Sequence, residues 1–187
     1  MSKKVTRAEN QQERLLRIGW IVGFVDGEGC FSVNFVKQSD RNETNRIRRG
    51  YKTGYQIFHE FAVVQGESSL QCLRALKDFF GVGALYINRR NDNHKEHLYR
   101  YTVRKREDLL NVIIPFFKKY SLRTAKRKNF VIFARCMKEI AKGKHLTTNG
   151  AIKIALMSQN MNHKRDRTEL IKILRNQTSD KRQKVVV

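Results

Sequence analysis

Apolar and polar positions alternate along the chain in blocks whose period changes from helical to extended and back. From Asn10 onward, Leu15, Leu16, Ile18, Trp20, Val22, Phe24 and Val25 recur at helical intervals. Asn10 and Glu13 have the spacing of a capping box, and the helix is predicted to end at the cluster Asp26-Gly27-Glu28-Gly29. Phe31, Val33 and Phe35 then alternate with Ser32, Asn34 and Val36, the period of a strand with one face buried. Asp40 to Gly50 reads as a charged hairpin tip, and a second strand over Gly54 to Val64 is expected to return antiparallel. Ser68 is placed to cap a short helix through Leu70, Leu73, Leu76 and Phe80, which Gly81 stops. Strands over Ala84 to Asn88 and Leu98 to Arg104 follow, joined by a polar loop containing His94 and His97. Helices are predicted over Glu107 to Phe117, Thr124 to Ala141 and Thr148 to Met161, with Asp166 capping a last one to Arg175. The order gives an α+β fold: four antiparallel strands covered by helices on one face. One domain is expected over residues 11–176, after a basic arm over 1–10 and before a flexible basic tail over 177–187.

Charge narrows the function. The 187 residues carry 39 Lys+Arg against 17 Asp+Glu, a formal net charge of +22. With 40% hydrophobic residues the chain can bury a core, which a disordered basic tail could not. Such self-repulsion fits a polyanionic partner, nucleic acid first. Cys30, Cys72 and Cys136 lie far apart and fall in no CxxC spacing, which argues against a zinc ribbon or a secreted disulfide framework. Apolar runs such as Val112 to Phe117 are far below the roughly 20 residues of a membrane span. The basic start, Met1 to Arg7, leads into polar Glu9 to Gln12 and not into an apolar signal core. The cysteine usage fits a reducing compartment and not the secreted space.

The strand pattern also supplies a candidate reading surface. If Phe31, Val33 and Phe35 face the helices, then Ser32, Asn34, Val36 and Gln38 share the opposite face. In the last strand Tyr99, Tyr101 and Val103 would go inward, and Leu98, Arg100, Thr102 and Arg104 outward. The second strand is mixed on both faces, Gln56, Phe58 and Glu60 against Ile57, His59 and Phe61; the former are placed outward. Tyr86, Asn88 and Arg90 are assigned to the same surface. Short polar groups with arginine can hydrogen-bond base edges in a major groove. Arg41, Arg46, Arg48 and Arg49 at one tip and Arg89, Arg90 and Lys95 at the other would grip phosphates. The plainer alternative is a solvated sheet face, which Ser, Asn and Arg also suit.

Gly19, Gly23 and Gly27 recur every fourth residue and so share one helix face without side chains. Each internal glycine costs roughly 0.5 to 1 kcal/mol relative to alanine, so the stripe calls for a return, and close approach of a second helix is the natural one. That helix is either the same helix of a second copy, related by a two-fold axis, or another helix of the same chain. Gly19, Val22, Gly23, Asp26 and Gly27 are the candidate interface positions. A two-fold axis would bring Glu28 close to its own copy. Two carboxylates about 4 Å apart repel by about 4 kcal/mol at an effective dielectric near 20, a penalty that bridging hard cations would relieve. Asp26 is read as a structural acid that hydrogen-bonds backbone or cross-subunit groups.

The segment Ile21-Val22-Gly23-Phe24-Val25-Asp26-Gly27-Glu28-Gly29 resembles the LAGLIDADG motif of homing endonucleases, with both motif glycines and both acidic positions in place. Gln65 before the second helix, Gly81-Val82-Gly83, the basic stretch Leu122 to Phe130 after Pro115-Phe116-Phe117, and His145 to Gly150 extend the resemblance. It implies an αββαββα fold with a saddle-shaped sheet. With one motif copy, it also implies a homodimer that cuts a long, roughly palindromic site in double-stranded DNA. Glu28 is then the metal-binding acid, with the Gly27 carbonyl as a further ligand. Gln65 orders active-site water, and Lys126 or Arg123 is the basic residue near the scissile phosphate, Lys126 being preferred. The implied cofactor is Mg²⁺, with Mn²⁺ able to substitute and Ca²⁺ supporting binding only. Two alternatives share the fold: a maturase that binds its intron RNA, and a DNA-binding regulator without cleavage. Retention of Glu28 argues against the regulator.

Overall fold

The computed structural model describes residues 7–38, 41–43, 46–48, 50–89, 96–162 and 166–183. Helix α1 (Arg7–Glu28) runs directly into strand β1 (Gly29–Lys37). A short ribbon of β2 (Arg41–Glu43) and β3 (Arg46–Arg48) follows, in the register Arg41↔Arg48, Asn42↔Ile47 and Glu43↔Arg46. Then come β4 (Tyr55–Gly66), α2 (Leu70–Phe80), β5 (Ala84–Asn88) and β6 (Leu98–Val103). The helical remainder comprises α3 (Arg106–Asp108), α4 (Ile114–Lys119), α5 (Lys126–Ala141), α6 (Thr148–Ser158) and α7 (Thr168–Gln183). The main sheet has the strand order β1-β4-β6-β5, which makes β1 an edge strand. The α+β class and strand sequence expected from periodicity are present.

The chain forms two compact units, 1–30 with 61–127 and 31–60 with 128–187, and passes between them inside β1, inside β4 and inside α5. In the first unit, Ile18, Ile21 and Val25 form the buried stripe of α1. Phe61, Val63, Tyr101 and Val103 are fully buried from β4 and β6, as are Leu73 and Leu76 from α2. Phe61 meets Phe80, Tyr101 and Phe117 edge-on at 5.7–6.3 Å between ring centroids, the geometry the aromatic quadrupole favours. Gly81 stops α2 in the left-handed region at φ 66°, as the sequence suggests. Between α3 and α4 the helix widens into a π turn over Leu109–Ile113. Pro115 explains it: proline lacks the N–H that would bond back four residues and its ring crowds that carbonyl.

In the second unit, Phe31 packs on Phe130 and Phe133 of α5 at 5.2 and 5.4 Å. Phe133, Met137 and Ile140 of α5, Ile154 of α6 and Leu174 of α7 complete the core. Helices α5 and α6 thus bury residues at three- and four-residue spacing, the amphipathic stripe that tertiary packing rewards.

Local boundaries differ from expectation in physically readable ways. Helix α1 starts at Arg7, so Asn10 lies inside it and is not the cap. The N-terminal turn ahead of α2 is not held by the Ser68 side chain; the Ser68 N–H donates to the Glu96 carboxylate at 3.0 Å. Helix α7 continues past Thr178 to Gln183, its start fixed by Asp166, which accepts from the Thr168 N–H at 2.8 Å and from its hydroxyl.

Candidate active site and nucleic-acid face

Helix α1 leaves its glycine face bare. Gly19, Gly23 and Gly27 are exposed, and a Cβ built on any of the three would meet nothing within 4 Å. Among the described residues of its own unit, nothing covers the stripe. The same helix also exposes Leu16 at 69% and Trp20 at 40%, with Trp20 stacked on Phe24 at 5.3 Å. Val22 is half-buried.

The two acids at the end of α1 have different environments. Asp26 is 9% exposed and bonded within its own chain. Its carboxylate accepts from the Arg123 N–H at 2.7 Å, the Thr124 N–H at 3.1 Å and the Thr124 hydroxyl at 2.6 Å. Burial works against its charge, but these bonds and the nearby Lys126 ammonium outweigh it and hold the pKa below the ordinary aspartate value. Asp26 thus fixes the turn that leads into α5. Glu28 is exposed at the last position of α1, where the helix dipole disfavours a carboxylate.

Lys126, the first residue of α5, reaches back to this point: its ammonium donates to the Gly27 carbonyl at 2.7 Å. Burial lowers its pKa, and the Glu28 and Asp26 carboxylates oppose that fall. The structure therefore brings Gly27, Glu28 and Lys126 together. Arg123 gives its N–H to Asp26, and its side chain is exposed. Gln65, near the end of β4, is half-buried and opposite Tyr99 in the β6 register. Among the described residues, no group of three or more His, Cys, Asp or Glu side chains could hold a metal ion. The donors at this end of α1 are one carboxylate and one carbonyl, hard oxygens of the kind that suit Mg²⁺ or Ca²⁺.

The sheet face is only partly as expected. In the second unit Ser32, Asn34, Gln38, Gln56 and Phe58 are half-buried and Val36 is exposed. The Gln38 side chain donates to that of Gln56 at 3.2 Å, which places these two on one face. Glu60 is only 6% exposed because β4 runs as an interior strand, and it is not available as an outward contact. In the first unit, Tyr86 and Asn88 are exposed, Arg100 is half-buried, and the Arg104 guanidinium lies 5.7 Å from the Tyr86 ring. Thr102 is 2% exposed, again against expectation. It is a short side chain on an interior strand, opposite Ala62 and Ala84 and between the longer Arg100 and Arg104. Arg49 and Arg90 lie outside the described residues, as do His94, Lys95 and His163; Arg41, Arg46 and Arg48 are placed by backbone register alone.

Three residues absent from the expectations hold this framework. Thr124 locks Asp26, while Asn162 and Arg167 bond the backbone of β1: Asn162 donates to the Phe31 carbonyl at 3.2 Å and Arg167 to that of Val33 at 2.6 Å. A buried arginine in a strongly basic chain carries no local signal that separates it from surface arginines.

A helix with a bare glycine face that ends on an exposed acid and runs directly into a strand carries the segment that resembles the LAGLIDADG motif. The LAGLIDADG endonuclease family model matches residues 21–137, and the chain belongs to the LAGLIDADG homing endonuclease family. Among solved structures it is similar to the homing endonuclease I-TnaI, at 36% identity and a TM-score of 0.65, covering 87% of this chain and 96% of that one. It is also similar to I-SmaMI bound to cleaved DNA, at 30% identity and a TM-score of 0.69, covering 83% of this chain but 47% of that one. A curated relative is a probable intron-encoded DNA endonuclease of Mycosarcoma maydis, 30% identical over 128 residues, 68% of this chain and 40% of the relative. Another is an uncharacterised protein of ND4 intron 1 in Podospora anserina, 31% identical over 132 residues and covered to 25%. The chain thus spans a quarter to two fifths of the length of these curated relatives. Among the described residues, no helix is long and apolar enough to cross a membrane.

Proposed function

We propose that this chain is a site-specific DNA endonuclease that works as a homodimer on a long, roughly palindromic duplex site and makes a metal-dependent double-strand break. The observation that carries the reading is the bare glycine face of α1 ending on exposed Glu28. A second copy docked there would bring two Glu28 carboxylates together and make divalent cations favourable between them. The match to about half of the DNA-bound I-SmaMI chain supports two copies doing the work of one longer protein.

Glu28 and the Gly27 carbonyl would hold Mg²⁺ or Mn²⁺. Bound there, the ion would supply activation of water and stabilisation of the leaving oxygen. Lys126 is preferred over Arg123 as the basic group beside the scissile phosphate, because its ammonium already rests beside Glu28, on the Gly27 carbonyl. Gln65 is assigned to ordering water. In each unit the polar face of its strands contacts DNA: Ser32, Asn34, Val36, Gln38, Gln56 and Phe58 in one, Tyr86, Asn88, Arg100 and Arg104 in the other. Arginines 41, 46, 48, 49 and 90 grip phosphates. I-SmaMI has been solved bound to uncleaved DNA in the presence of calcium ions, at 32% identity and a TM-score of 0.64, which supports Ca²⁺ as a binding-only ion. Intron-encoded fungal relatives, one of them in an ND4 intron, favour an intron-borne gene in an organelle.

Incubation of the protein with duplex DNA spanning the intron-free insertion site tests this reading. Double-strand cleavage is expected in Mg²⁺, and binding without cleavage in Ca²⁺. Binding with no cut in Mg²⁺ or Mn²⁺ would leave a DNA-binding regulator.

A further inference from the structure

Strand β1 is held along its outer side by two side chains from the α6–α7 connection. The Gln38 N–H donates to Gly54 at 2.8 Å, so even-numbered residues of this strand direct their backbone groups toward β4 and odd-numbered residues direct theirs away. Phe31 and Val33 are odd, and their carbonyls are those that accept from Asn162 and Arg167. The two donors therefore replace a neighbouring strand on the edge of the sheet.

Both donors are themselves fixed. Asn162 adopts φ 51°, a left-handed conformation that asparagine tolerates better than most residues, and its N–H donates to the Asn129 side chain of α5 at 3.0 Å. Arg167 is 8% exposed, and its guanidinium carbon lies 5.0 Å from the Phe35 ring centroid. Phe31, Val33 and Phe35 are thus each gripped, and the residues between them are Ser32 and Asn34. A cavity of about 310 Å³ is lined jointly by Ser32, Asn34, Asn162 and Arg167, so the gripping and the outward side chains share one environment.

We propose that Arg167 and Asn162 are positioning residues for sequence readout. They fix the backbone of β1 so that Ser32 and Asn34 present their polar groups to base edges at one depth and angle. The inference rests on the reading of the β1 face as a DNA contact. Hydrogen-bond readout demands such control, since a misplaced donor loses discrimination between bases before it loses contact with the duplex.

The test uses the full chain, a randomised duplex DNA library and Ca²⁺, with base preference read at each position from the bound fraction. The double variant Ser32→Ala/Asn34→Ala identifies the base pairs that β1 reads. Arg167→Lys, which keeps the charge but not the planar guanidinium, and Asn162→Ala should each lower discrimination at those base pairs by roughly tenfold. Preference at the base pairs dependent on Arg100, and the salt dependence of binding, should not move. A merely structural role would reduce the active fraction and leave the preference profile intact at every position. That outcome, or an unchanged profile in both variants, overturns the proposal while the reading of β1 stands. If the Ser32→Ala/Asn34→Ala variant itself changes no preference, the underlying reading of the β1 face fails, and the proposal with it.

Discussion

The end of α1 and the outer side of β1 are consecutive in sequence, yet the protein treats them in opposite ways. On α1, Gly19, Gly23 and Gly27 face open space and Glu28 is exposed, while interior Asp26 accepts three hydrogen bonds from a turn almost a hundred residues away. On β1, the carbonyls of Phe31 and Val33 are held by Asn162 and Arg167. One surface has been left available for something outside the chain, and the other has been closed by the chain itself. The lesson is that chemistry and recognition make different demands. On the proposed function, an acid shared between copies has to be presented bare, whereas a reading strand has to have its register fixed before DNA arrives.

Breaking the bare side should have the largest effect. Glu28→Gln keeps size and one acceptor but removes the charge, and loss of several kcal/mol of charge stabilisation predicts a fall in cleavage of roughly three orders of magnitude. DNA affinity in Ca²⁺ or without metal should be equal or tighter, because the two helix ends no longer repel. Competition binding beside a cleavage time course checks both arms.

Asp26→Asn should behave differently, lowering stability by about 1.5 to 3 kcal/mol through weakened charged hydrogen bonds, with activity falling alongside. The sign with pH follows from the lowered pKa of Asp26. Its contribution is fully present above the ordinary aspartate range near 3.9 and is lost as pH falls through the lower folded value. Denaturation of both proteins at neutral and acid pH should show the gap closing only in acid.

The sheet face offers a smaller and more local contrast. Arg100→Ala should relax preference at particular base pairs by about 1 to 3 kcal/mol. Arg48→Ala should weaken binding to all sequences and flatten the salt slope by about 0.9. Equal loss on every sequence for both variants would mean that Arg100 does not read bases. Smallest is Gly19→Ala, which meets no atom within 4 Å. It should stabilise the isolated chain by about 0.5 to 1 kcal/mol in a dilute melt while weakening self-association.

Much of this was legible because it is local. The glycine spacing, the acid after it and the two-residue alternation of Phe31, Val33 and Phe35 all lie within twenty residues, and periodicity reports local geometry directly. Burial of Thr102 and Glu60 was not legible, because alternation separates the faces of a strand but does not say how deeply neighbouring strands enclose a short residue. The clamp on β1 was invisible for a different reason. Asn162 and Arg167 act across about 130 positions of sequence, and nothing in their immediate neighbours marks them. The helix start at Arg7 shows that a good capping pair is a preference and not a stop, since Asn10 is accommodated inside α1.

The central claim is that the glycine face of α1 receives a second copy of this chain, and sedimentation equilibrium of the wild type beside Gly23→Leu tests it most directly. Gly23 is exposed and a Cβ there meets no described atom within 4 Å, so the variant should stay folded. The account predicts a wild-type mass twice the 22.0 kDa of one chain and a variant mass equal to it. A Gly23→Leu protein that remains a dimer would contradict the interface, and with it the pairing of Glu28 on which the proposed chemistry depends.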